Sequence, residues 1–152
     1  MPNAEDVVAE ARRWIGTPYH HQASVFQVGS DCLGLIRGVY ARLYGSEPET
    51  PPPYSKEWGE YDAEELMLNA ATRHLTCKLR APGKETLSLM ERTWATGDVL
   101  FFRARIGAVA KHCGISSGNG LMIHAYSGVG VVETDIGVWS ARLAGVFSFP
   151  GI

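Results

Sequence analysis

The chain has few cysteines and little net charge for its 152 residues, and each shortage argues against a class of protein. Cys32, Cys77 and Cys113 are an odd number without a CxxC pair, which argues against a disulfide framework and a zinc ribbon. At least one thiol is therefore expected to be free. The net charge of −2 provides no basic surface, so we expect neither nucleic acid nor an anionic membrane as a partner.

Long apolar runs are also missing. No run approaches the roughly 20 residues of a spanning helix, and residues 1–6 lack the basic segment that opens a signal peptide. We therefore expect a protein without a membrane span, made in the cytoplasm without a signal peptide. With 45% hydrophobic residues in a length typical of one domain, residues 1–152 are expected to form a single domain.

The first half of the chain has the periodicity of helices. Apolar residues recur at helical spacing over residues 4–15, after Asn3 as an N-cap, and over residues 32–43. Asp31 precedes the second of these segments, and we expect it to cap that helix. Residues 62–75 are also predicted to be helical.

The second half has the composition of strands. Short β-branched and aromatic runs alternate with glycine, which predicts an antiparallel sheet. Because helices come first and strands second, we predict an α+β fold in which N-terminal helices pack on a C-terminal antiparallel sheet of about five strands. The predicted strands are residues 99–102, 109–116, 121–126, 129–134 and 146–149.

Two segments fit neither pattern. Residues 46–61 carry four prolines and several aromatic residues, which predicts an extended connector packed on the surface. The part of it at 51–58 could alternatively be a docking surface. Residues 76–96, which include Cys77, show no clear period.

Cys32 is placed where a thiol can become a nucleophile. It opens a predicted helix, and the unpaired N–H groups and dipole at a helix start stabilise a thiolate. The alternative is a buried cysteine that belongs simply to the core. We expect that second role for Cys113, which should point to the opposite face of its strand from His112.

A nucleophilic thiol needs an imidazole within hydrogen-bond reach, and that imidazole needs an orienting group. His112 and His124 lie on successive predicted strands and are the candidates for base and orienting residue. A two-residue turn at 119–120 would direct them to opposite faces of the sheet. A three-residue loop at 118–120 with a bulge would place His112 opposite Tyr126, on the same face as His124. Catalysis therefore predicts an odd-length or bulged hairpin.

Four separated motifs then follow one another: DCLGL at 31–35, GDVLFF at 97–102, HCGI at 112–115 and MIHA at 122–125. In this order they resemble the motifs of the NlpC-type cell-wall cysteine peptidases, over a region from about Val7 to Phe149. A narrower likeness, to tail-associated peptidases of bacteriophages and gene transfer agents, rests on EARRWIGTPY at 10–19 and HAYSG at 124–128.

The resemblance implies a papain-like fold, no cofactor, and a substrate among the short peptides of bacterial peptidoglycan, commonly cleaved after γ-D-glutamate. It also implies that the Tyr19 hydroxyl completes an oxyanion hole with the backbone N–H of Cys32. The chain departs from the family pattern at Leu33, where a serine is usual, and at His20 and His21, where glycines are usual. These three positions are our candidates for a changed substrate groove.

The narrower likeness implies a setting. We expect a peptidase synthesised in the bacterial cytoplasm and carried on a phage-like tail, where it opens the target cell wall during DNA delivery with other tail or baseplate proteins as partners. Two alternatives remain open: a structural tail component with little or no hydrolytic activity, and an acyltransferase or amidase on a related fold.

Other candidate residues have simpler interpretations. A zinc site at Cys32, His112 and His124 would lack a fourth ligand and a supporting carboxylate, so we expect no metal. Asp98 follows Gly97 and is expected to be a turn residue before a strand.

Overall fold

The computed structural model describes residues 1–52 and 65–152 of the chain. Most of the predicted connector at 46–61 and of its possible docking segment at 51–58 lies outside the described residues. Positions 62–64, which begin the third predicted helix, also lie outside them.

In the described residues, three α-helices form in the segments that were predicted to be helical. Helix α1 spans Ala4–Arg13, and the side chains of Asn3 and Asp6 each accept from the other's backbone N–H in a capping box. Helix α2 spans Cys32–Tyr44 and α3 spans Leu66–His74. Within the described residues, no helix is long and apolar enough to cross a membrane.

The main sheet of the described region is antiparallel and has six strands in the order β3-β8-β4-β5-β6-β7. The α+β prediction is confirmed, whereas the expected number of about five strands is one too low. The missed strand is β3, an edge strand that is largely exposed and so lacks an alternating apolar pattern. The strands are β3 Thr76–Arg80, β4 Val99–Arg103, β5 Ala110–Gly118, β6 Leu121–Tyr126, β7 Gly130–Asp135 and β8 Leu143–Ser148.

Two short elements complete the described fold. The segment between α1 and α2 contains a two-stranded ribbon of β1 Ser24–Val25 and β2 Gly29–Ser30. A 3₁₀-helix, η1, spans Gly137–Arg142 between β7 and β8. Both elements lie in stretches for which the sequence predicted no regular structure.

The β5–β6 hairpin has the register that the catalytic interpretation required. Ile115 pairs with Ile123, which is the register expected if His112 lies opposite Tyr126. The predicted three-residue loop is wrong in detail, because Gly118 pairs with Leu121 and the turn consists of two residues, 119 and 120, both with positive φ. A bulge in β5 between Ser116 and Gly118 supplies the one extra residue that keeps both histidines on the same face.

The two faces of the sheet bury different sets of side chains. One face packs against the three helices, and Cys113 is fully buried there together with Phe101 and Ile115. The opposite face carries Phe102 and Met122 in a second apolar cluster. Because side chains alternate along a strand, His112 and His124 belong to this opposite face.

Candidate active site

Cys32 is the first residue of α2 and is held there by the Asp31 cap. One carboxylate oxygen of Asp31 accepts from the backbone N–H of Gly34 at 2.7 Å, and the other accepts from that of Gln22 at 2.9 Å. The predicted capping role of Asp31 is thus confirmed. Cys32 is buried and its Sγ lies 3.7 Å from the carbonyl oxygen of Lys111, so α2 presents the thiol to the start of β5.

The pKa of the Cys32 thiol is lowered to about 5. A hydrogen bond with the Cys113 side chain lowers this pKa most, and burial opposes the effect. A hydrogen bond with the His112 imidazole and the positive charge of that ring lower it further. At neutral pH the site therefore favours a thiolate, the form in which cysteine attacks carbonyl carbon.

A chain of hydrogen bonds runs from His112 away from the thiol. His112 Nε2 lies 2.8 Å from His124 Nδ1, and His124 Nε2 lies 2.7 Å from the hydroxyl oxygen of Thr134. Because Nε2 of His112 is occupied by His124, its Nδ1 is the ring nitrogen left for the hydrogen bond with Cys32. The structure thus brings the predicted cysteine and both predicted histidines together.

Gly114 makes room for this arrangement. A Cβ at Gly114 would lie 3.1 Å from the Cβ of His124 and 2.9 Å from the sulfur of Met122. Any side chain there would force Met122 and His124 to shift from these positions. The glycine of the HCGI motif therefore has a steric role in the histidine pair.

His124 is kept neutral by its surroundings. Burial, together with the nearby positive charge of His112, lowers the pKa of His124 to about 4. A neutral His124 that donates from Nε2 to Thr134 has an unprotonated Nδ1, which can accept the N–H of His112. This tautomer suits a residue that orients His112 and stabilises its protonated form.

Tyr19 lies beside the thiol and retains its proton. Its backbone forms a parallel bridge with Ser30, immediately before Asp31 and Cys32 in the chain. Burial raises the pKa of Tyr19 to about 12, and the negative charges of Cys32 and Asp31 contribute. A protonated phenol next to a thiolate is a hydrogen-bond donor suited to a developing oxyanion.

A sequence model described as the NlpC/P60 family matches residues 16–148, most of the chain. The chain belongs to the NlpC/P60 family. The fold and the family expected from the motifs are therefore confirmed. No curated protein sequence matches the chain.

Several solved structures share this fold. The NlpC/p60 domain of the peptidoglycan hydrolase SagA is 25% identical with a TM-score of 0.60, and the match covers 97% of this chain and 100% of that domain. NlpC1 from Trichomonas vaginalis is 17% identical with a TM-score of 0.60, and the match covers 96% of this chain but 44% of that one. An N-acetylmuramoyl-L-alanine amidase from Bacteroides uniformis is 15% identical with a TM-score of 0.59, and the match covers 95% of this chain and 96% of that one.

Thr134 is a functional candidate that the sequence analysis missed in this NlpC/P60 domain. Strand β7 pairs with β6 so that His124 lies opposite Val132 and Met122 lies opposite Thr134. Thr134 on β7 is thus diagonal to His124 on the same face of the sheet. His112 on β5, the other neighbour of β6, is diagonal to His124 on that face as well. The same parity argument, carried one strand further, would have found it.

The remaining predicted residues have mixed outcomes. Cys113 is core, as predicted, although its thiol also faces Cys32. Asp98 is the predicted turn residue, and its buried carboxylate accepts from the backbone of Ala95 at 2.8 Å and from Lys78 at 2.7 Å. All three cysteines are free, and Cys77 lies exposed on β3.

The proposed groove residues flank the site along the chain. His20 is exposed and follows Tyr19, while Leu33 is half-buried and follows Cys32. The Nδ1 of His20 lies 3.2 Å from the carbonyl oxygen of His21. A role in substrate binding stays a prediction for these three residues. In the described parts of the chain, no three His, Cys, Asp or Glu side chains are grouped so as to hold a metal ion.

Proposed function

We propose that this NlpC/P60 protein is a cysteine peptidase that hydrolyses the stem or cross-link peptides of peptidoglycan. Cys32 is the nucleophile, His112 the base and His124 the residue that orients it. The observation that carries the proposal is the continuous path from a thiol with a lowered pKa, through His112 and His124, to Thr134. NlpC/P60 proteins are cysteine peptidases and amidases that act on peptidoglycan, which agrees with this chemistry.

The reaction begins when the Cys32 thiolate attacks the scissile carbonyl carbon. The oxyanion that forms accepts hydrogen bonds from the Cys32 backbone N–H and the Tyr19 hydroxyl. Protonated His112 donates its proton to the leaving amine, which departs and leaves an acyl-enzyme. His112 then takes a proton from water, and the resulting hydroxide releases the acid and regenerates the thiolate.

Peptidoglycan peptides are the substrate class for three reasons. The DCLGL, HCGI and MIHA motifs resemble those of cell-wall peptidases. One solved domain that is similar to this chain over its full length is that of a peptidoglycan hydrolase. The chain offers no strong basic or acidic field that would favour nucleic acid instead.

We also propose a setting for the activity. The EARRWIGTPY and HAYSG segments resemble tail-associated peptidases, so the single-domain protein would leave the cytoplasm on a phage-like tail and open the cell wall during DNA delivery. Tail or baseplate proteins would be its partners. Co-purification with assembled tail particles tests this setting, and recovery of the protein exclusively in particle-free fractions would contradict it.

Defined muropeptides test the activity directly. Wild-type protein should cleave them, and Cys32→Ala should abolish cleavage because no thiolate remains. Cys77→Ala is the matched control, since it removes an exposed thiol far along the chain from the site and should leave the rate unchanged. Mass spectrometry of products formed in H₂¹⁸O identifies the bond cut and shows whether water is the acceptor. Undiminished cleavage by Cys32→Ala would overturn the mechanism, and transfer to another nucleophile would indicate an acyltransferase.

A further inference from the structure

The face of the His112 ring is covered by an aromatic side chain with no role in the proposed reaction. The indole of Trp139 stacks on the imidazole with ring centroids 4.4 Å apart and planes 24° from parallel. The same indole meets the His124 ring edge-on, with centroids 5.8 Å apart. Trp139 therefore contacts both histidines while donating no hydrogen bond to either.

Trp139 is itself held by contacts other than those with the histidines. It lies in η1, where its backbone N–H donates to the carbonyl of Ile136 at 2.8 Å. The guanidinium of Arg142 lies 4.6 Å from the centroid of the indole ring, a distance typical of a cation–π contact. Arg142 in turn donates to the carbonyl of Ala104 at 2.8 Å, which ties it to the end of β4.

The hydrogen bond to His124 does not by itself fix the plane of the His112 ring. A ring held at Nε2 can still tilt about that bond, and a tilt would carry Nδ1 away from the thiol. A flat contact over the ring face opposes this tilt, and stacked aromatic pairs contribute about 0.5–1.5 kcal/mol beyond the area they bury. Proton transfer depends on such alignment, because a misplacement of about 1 Å can cost on the order of 100-fold in rate.

We propose that Trp139, held in place by Arg142, is a positioning residue that keeps the His112 ring in the plane needed to exchange a proton with Cys32. The inference rests on the proposed function, since it takes His112 as the base. Trp139 acts through His112, so its loss should slow the chemical step and leave substrate binding intact. A role as a platform for substrate would have the opposite signature.

The variant Trp139→Leu removes the flat contact, whereas Trp139→Phe retains an aromatic face. We expect Trp139→Leu to lower kcat by about 10–100-fold with KM near the wild-type value, and Trp139→Phe to recover most of the rate. Trp94→Leu is the matched control, because Trp94 packs against the same apolar cluster and should leave both constants unchanged. A raised KM with unchanged kcat, or equal losses in Trp139→Leu and Trp94→Leu, would overturn the proposal.

A second measurement does not depend on any substrate. In a Cys77→Ser background, the rate at which iodoacetamide alkylates Cys32 across the pH range reports the thiolate. Trp139→Leu should raise the midpoint of this titration and slow alkylation at pH 7, because the misaligned His112 stabilises the thiolate less. An unchanged titration refutes the proposal. If wild-type protein cleaves no muropeptide while this titration still shifts, the proposed function fails and the positioning role stands.

Discussion

Two polar groups on the sheet differ in how fully their hydrogen-bonding atoms are used. The Arg103 side chain on β4 is fully buried and pairs with the carboxylate of Glu65, whose other oxygen accepts from the backbone N–H of Ala110 at 3.0 Å. Arg103 also donates to three backbone carbonyls, those of Gly83, Glu85 and Ala108. The second group is the histidine group, which consists of His112, His124 and Thr134. In it, one ring nitrogen of His112 remains for a thiol that changes its protonation state.

The difference separates a structural network from a reactive one. The charge of Arg103 is compensated by an internal carboxylate, and each of its three guanidinium nitrogens donates to an internal acceptor. Because the side chain is also fully buried, it is not available to a substrate. The histidine group ends at the Cys32 thiol, the nucleophile of the proposed reaction. Burial and hydrogen bonding alone therefore do not distinguish an active site from a structural network. The distinguishing feature here is the ring nitrogen of His112 that is not used in a structural hydrogen bond.

Loss of His112 should give the largest effect on activity. His112→Ala removes the base and one of the groups that stabilise the thiolate, so we expect kcat to fall by about 10³-fold or more while the free energy of unfolding changes little. Muropeptide hydrolysis and urea denaturation of the same sample check both parts. A variant that loses its fold as well as its activity would place His112 with Arg103 among structural residues.

Loss of Arg103 should show the reverse pattern. Arg103→Met leaves the Glu65 carboxylate buried without its partner, so we expect about 3–5 kcal/mol of destabilisation, with kcat per folded molecule retained. Urea denaturation measures the first quantity and active-site titration the second. The double variant Arg103→Met with Glu65→Gln removes the orphaned charge and should recover part of the loss. No recovery would contradict the assignment of the cost to that charge.

The pH dependence of stability should report His124. Its pKa of about 4 in the fold lies below the ordinary value of 6.5, so below 6.5 the unfolded chain binds a proton that the folded protein excludes. The resulting loss of stability should therefore grow as pH falls from 6.5 to about 4 and be absent above 6.5. Urea denaturation at several pH values should show a shallower acid decline in His124→Gln than in wild type. Exposed His20→Gln serves as the control and should retain the wild-type slope.

The far end of the histidine path should give the smallest effect. Thr134→Val removes the acceptor for His124 Nε2, and a neutral hydrogen bond contributes about 1 kcal/mol, so we expect kcat to fall by about five-fold. Thr134→Ser preserves the hydroxyl and should remain near wild type. Equal rates in the valine and serine variants would show that the path ends functionally at His124.

The sequence predicted the parts of this comparison that depend on local pattern. The Asp31 cap and the apolar period of α2 placed Cys32 at a helix start, and strand parity brought the two histidines to one face. Arg103 escaped notice because a basic residue at the end of an apolar run usually lies at the surface. Two of its carbonyl acceptors, those of Gly83 and Glu85, lie in residues 76–96, where no period predicts how the backbone folds.

Trp139 could not be predicted for a related reason. It reaches His112 from a 3₁₀-helix between strands, and neither helical nor strand periodicity indicates where such a segment lies on the sheet. A substrate-groove role for His20, His21 and Leu33 stays a prediction.

The bulge near Ser117 restricts the number of residues that can separate the two histidines of this hairpin. Surface loops generally tolerate insertions and deletions. Here a change of one residue between His112 and His124 would turn one histidine to the other face of the sheet, while a change of two would restore the match. Natural variants of this hairpin should therefore differ in length by even numbers of residues wherever the histidine pair is kept.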